Sequence, residues 1–147
     1  MSLEDWLTEG HLKSHRTSRD ELRQLFAVYE RDMSDAGVAG LSIERQFESA
    51  YNAALMMARV ALAAGGYRTS GEANHYWTIL SLEFTLGLDA GTINTFNAFR
   101  RKRNISNYEM IGMVSAREVV EMITLAEKLH SRVREWLKNT YPELFPE

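Results

Sequence analysis

The chain has 147 residues, 45% hydrophobic and 25% charged, with seventeen basic against twenty acidic side chains and a net charge of −3. That fits one domain with a real core, and it excludes nucleic-acid binding by bulk charge, leaving only a local cationic patch. There is no cysteine, which excludes disulfides, thiolate metal sites and cysteine nucleophiles.

The N-terminus, Met1 to Trp6, is acidic and lacks the basic-then-apolar order of a signal peptide. The most apolar window, Ala53 to Ala64, is broken by Arg59 and too short to span a bilayer. These features predict a soluble, cytoplasmic protein with no membrane partner. Residues 1–16 read as an N-terminal arm, one short helical turn followed by a linker. Within it His11 and His15 have the spacing of two ligands on one helix face, but no third ligand is near, so no metal site is assigned.

Both prolines, Pro142 and Pro146, lie in the last six residues, which leaves the rest of the chain free to be helical. Ser18-Arg19-Asp20-Glu21 has capping-box form, and Leu22, Leu25, Phe26, Tyr29 and Met33 follow at helical spacing up to Ala36-Gly37. Ser42 is a good N-cap for a long second helix with an apolar stripe from Ile43 to Leu62, ending at Gly65-Gly66. The Gly65–Gly71 loop could cradle a phosphate, but glycines at a helix end are more often C-caps. The segment from Glu72 to Leu86 is apolar nearly all round and predicts the most buried helix, with His75 at its start. A fourth helix starts near Thr92. Ser115-Ala116-Arg117-Glu118 opens a final helix running to about Thr140. No internal repeat or linker is visible, so residues 1–147 read as one all-α domain, an antiparallel up-and-down bundle of four to five helices.

The most informative stretch is 96–108, where phenylalanines, a cationic run and a polar cluster follow one another. On a helix turning about 100° per residue, Ile93, Phe96, Phe99 and Arg103 share one sector with Arg100 at its edge, whereas Arg101 and Lys102 point elsewhere. An arginine on an apolar face needs a partner. Two readings stay open: an ion pair with a carboxylate such as Glu44 or Glu48, or a phosphate site suited to a guanidinium fork.

Arg103-Asn104-Ile105-Ser106-Asn107-Tyr108, after a phenylalanine-rich helix and an arginine run, resembles the motif region of HEPN domains. The resemblance spans most of residues 40–140, through Phe47 to Ala54, Gly66-Tyr67-Arg68 and His75, in matching order. HEPN domains are small helical bundles found beside nucleotidyltransferases and in toxin–antitoxin and other defence systems. The resemblance implies a homodimer built around the motif, an RNA or nucleotide ligand, a nucleotidyltransferase-type partner protein and no cofactor. In ribonuclease members an Arg, often with Asn after it, precedes a His that would fall at residue 108, where this chain has Tyr108. Arg103, Asn104 and Tyr108 are then the candidate catalytic set, and Arg100, Arg101, Lys102 and His75 the candidate RNA- or nucleotide-binding set. A tyrosine with an ordinary pKa of about 10 is a poor base near neutral pH. The motif therefore reads as degenerate, predicting binding with weak or no cleavage. The alternatives are an active metal-independent endoribonuclease toxin and a non-catalytic protein-interaction module. Five helical residues also separate Arg103 from Tyr108 by about 7.5 Å of rise, so they converge only if the helix breaks or two protomers contribute.

Overall fold

The computed structural model describes residues 1–71, 74–104 and 112–146, and these are mostly helical. In chain order they form α1 (Leu3–Thr8), β1 (Leu12–Ser14), α2 (Arg19–Ala36), α3 (Ile43–Ala64) and β2 (Tyr67–Thr69). Then come α4 (Asn74–Leu80), α5 (Leu82–Thr85), α6 (Ala90–Arg103), α7 (Ala116–Thr140) and a closing 3-10 turn at Pro142–Leu144.

The helix starts follow the capping chemistry. Ser18, Ser42, Asp89 and Ser115 are the N-caps, each accepting a backbone N–H from the first turn. Ser115 and Glu118 complete a reciprocal capping box. At α2 the carboxylate of Glu21 turns instead to Thr17 and His15, at 2.6 and 2.7 Å.

Side-chain contacts give the directions of the four longest helices. Arg19 at the start of α2 reaches the carbonyl of Glu143 beyond α7, and Tyr29 stacks on His130, so α2 and α7 run oppositely. Phe47 and Tyr51 early in α3 meet Phe99 and Phe96 late in α6, so those two are also opposed. The core lies between α2, α3 and α7.

Three expectations need correction. The most buried helix is α3, not the segment 72–86. Its alanines at 50, 53, 54, 58 and 61 are fully buried, because small side chains let α2 and α7 close on it from two sides, whereas α4 buries only Thr78 and Ile79. The segment after His75 is also not one helix. At Ser81 the buried hydroxyl donates to the Thr78 carbonyl at 2.6 Å, where the chain breaks between α4 and α5. Finally, residues 1–16 carry the short helix expected of them as α1, but the stretch read as a linker contains a strand. Trp6 is buried edge-on against Trp77 and Phe84, with centroids at 4.9 and 5.0 Å, and β1 pairs antiparallel with β2. Trp6, Leu12 and Leu62 form a second small apolar cluster, so the domain is mostly helical with a two-stranded ribbon.

Candidate functional site

The last turn of α6 distributes its four cations over different surroundings. Ile93, Phe96 and Phe99 are buried, and Arg103 continues their line to lie over the ring of Tyr51, its guanidinium carbon 5.8 Å from the centroid. Arg100 lies over Tyr76 at 5.4 Å and donates through Nε to Asn97 Oδ1 at 2.7 Å. Arg101 is exposed. Lys102 faces the other way and pairs with Glu118 of α7, so the candidate binding set is split, and Lys102 is a clasp between helices. Asn104 is the C-cap of α6 with an exposed side chain, its backbone N–H bonded to the Arg100 and Lys102 carbonyls. Tyr108 lies outside the described residues, as do Ile105, Ser106 and Asn107.

Arg103 has no carboxylate partner among the described residues, and neither Glu44 nor Glu48 pairs with it. Its Nε is buried and has no hydrogen-bond partner among the described residues. The faces of aromatic rings attract a cation but cannot accept a directed N–H bond as a carboxylate does.

Tyr51 joins Arg103 to His75, its hydroxyl 3.3 Å from His75 Nδ1. Tyr51 is fully buried, and burial pushes its phenol up to about 12, against a smaller opposing pull from Arg103 and Arg100. It therefore keeps its proton at neutral pH. Burial also holds the His75 imidazole below its ordinary value, and Arg103, Arg100 and Arg59 push it in the same direction. His75 thus resists protonation, and among the described residues the charged groups that shift it are all guanidiniums. A site of this kind favours an incoming anion and resists a cation.

On its other side His75 lines a cavity of about 360 Å³ between α3, β2 and α4. Asn52, Arg59 and Arg68 share that lining. Asn52 donates through Nδ2 to the buried carboxylate of Asp32, which also accepts from Arg31. Sequence reading did not single out Tyr51, Asn52 or Arg59 as site residues, although Arg59 stood out as a single charge in an otherwise apolar window, and it met Arg68 only as part of the Gly65–Gly71 loop weighed as a phosphate cradle.

The remaining candidates have structural roles. Gly65 caps α3, and Gly66 takes φ of +100°, where a side chain would be strained, to turn the chain into β2. His11 stacks on Trp77 at 3.8 Å, and His15 meets Glu21. No protein-family model matches the sequence, and no curated protein or solved structure is significantly similar to it.

Proposed function

We propose that this protein is a HEPN-like, homodimeric helical bundle of the toxin–antitoxin or defence type that binds the phosphates of RNA or of a nucleotide around Arg103. Arg100 and Arg103 grip the anion, Arg101 adds a solvent-side contact and His75 contributes a hydrogen bond. The observation that carries this reading is the buried Nε of Arg103, without a hydrogen-bond partner among the described residues, in a cluster with Arg100 and a His75 that resists protonation. A cation left without a counter-charge in protein is costly, and a phosphate oxygen supplies what Arg103 lacks. The replacement of the motif histidine by Tyr108 favours binding over turnover.

One observation favours a second reading, metal-independent cleavage. His75 stays neutral within the field of Arg103, so it could take the proton that the ribose 2′-hydroxyl loses on attacking the adjacent phosphate. The discriminating experiment incubates labelled single-stranded RNA in EDTA with wild type, Arg103→Met and Tyr108→Phe, scoring binding and cleavage together. The expected result is binding without cleavage, weakened in Arg103→Met. Cleavage abolished in folded Arg103→Met and, in a further variant, in folded His75→Gln would establish the second reading. RNA held equally by wild type and Arg103→Met would remove Arg103 from the site.

A further inference from the structure

The cavity beside His75 has a chemistry of its own. Its floor is apolar, with Leu55 and Leu62 each 2% exposed and Met56 6%. Its rim carries the guanidiniums of Arg59 and Arg68, both exposed residues. No carboxylate is among the described lining residues. Arg59 has a weak acceptor, Met56 Sδ at 3.7 Å. Arg59 also acts on Glu21, an acid already engaged by Thr17 and His15. Arg68 makes no ion pair among the described residues; Glu72 and Ala73, which follow β2, lie outside them.

Asn52 adds a directional group. A carboxylate can only accept, so the bond to Asp32 fixes which end of the amide is Nδ2. Its Oδ1 is therefore an oriented acceptor without a partner among the described residues. An inorganic anion would use the guanidiniums but leave the apolar floor and the acceptor idle. A sugar phosphate would use the acceptor but not the floor. A purine or pyrimidine bearing a ribose phosphate uses all three, and 360 Å³ falls within the roughly 300–1,000 Å³ of small-molecule sites.

We infer that the cavity between α3, β2 and α4 binds a nucleoside monophosphate, with the base on the Leu55–Met56–Leu62 floor, the phosphate between Arg59 and Arg68, and a ribose hydroxyl or base amino group donating to Asn52 Oδ1. This site shares His75 with the Arg103 cluster but takes its phosphate on Arg59 and Arg68, and it does not require RNA to bind at Arg103.

The test is calorimetric titration of the full chain with AMP, GMP, CMP and UMP in turn, against adenosine, inorganic phosphate and ribose 5-phosphate. At least one monophosphate binds saturably, and the three partial ligands bind about tenfold or more weakly. Arg59→Gln and Arg68→Gln each weaken binding roughly tenfold, as loss of a charge-assisted contact should. Both altered arginines are on the surface, and circular dichroism verifies folding. Absence of saturable binding by all four monophosphates overturns the inference. So does inorganic phosphate binding as tightly as the nucleotide. Nucleotide binding lost in Arg103→Met but kept in Arg68→Gln would place the ligand at the end of α6 instead. RNA binding that survives Arg68→Gln separates failure here from failure of the RNA-binding proposal.

Discussion

Replacing Arg103 by methionine separates an arginine kept for ligand binding from one kept for architecture. Methionine preserves the apolar stem that continues the Phe96–Phe99 line and removes the guanidinium. If the wild-type cation has no partner, its removal relieves an unsatisfied buried donor, worth about 1–3 kcal/mol. Against that stands the loss of the contact with the Tyr51 ring, about 0.5–2 kcal/mol. Arg103 is only partly buried, so both terms belong near their lower ends. The net change is then between about zero and 1 kcal/mol in favour of the variant, a Tm rise of no more than ~5 °C for a domain this size. A structural arginine in a buried ion pair would behave oppositely, since removing one partner costs about 3–5 kcal/mol. Urea unfolding of wild type and variant with an unchanged m-value reads the difference directly. A loss above roughly 2 kcal/mol would refute the reasoning and make Arg103 a structural residue.

Three further outcomes follow from the same geometry. Glu118→Ala removes the reciprocal cap of α7 and the Lys102 clasp together and should cost about 1–2 kcal/mol in urea unfolding, most of it from the cap. The Lys102 hydrogen bond, aided by the Ser115 N–H, holds the Glu118 carboxyl below its ordinary value, so its stabilisation is complete above pH 4.5 and is lost as acid protonates it; wild type should lose more stability than Glu118→Ala below that pH. His75 is shifted down, so the unfolded chain binds its proton more readily. Its contribution is therefore full above pH 6.5 and declines below, and NMR should find the ring neutral below that value in the free protein and titrating higher once phosphate is bound nearby. Trp6→Ala should cost about 3 kcal/mol and speed amide exchange across the β1–β2 ribbon, whereas a loss under ~1 kcal/mol would mean that residues 1–16 add little to the stability of the fold.

The starts of α2, α3 and α7 were legible because their determinants are local. Ser18, Ser42 and Ser115 announce starts through side chains that bond a backbone N–H three residues on, and periodicity carries the rest. The sector shared by Ile93, Phe96, Phe99 and Arg103 was legible for the same reason. What escaped was set by contacts between distant segments. Residues 12–14 become a strand only because residues 67–69 present an edge to them, and Trp6 is buried only because Trp77 and Phe84 arrive beside it. The burial of α3 was underestimated because alanine is a weak apolar signal although it permits the closest packing. Lys102 looked equivalent to its arginine neighbours until Glu118 of α7 claimed it. Tyr51 read as one more stripe residue, since nothing local says that its hydroxyl meets a histidine 24 positions away.

The central claim, that Arg103 holds a phosphate, is tested most directly by the salt dependence of RNA affinity. Fluorescence anisotropy of a labelled single strand across a series of salt concentrations gives the slope of log K against log salt for wild type and Arg103→Met. The account predicts measurable binding whose slope becomes shallower by about 0.7 in the variant, the signature of one phosphate contact removed from a single strand. Identical slopes and affinities for the two proteins would contradict it.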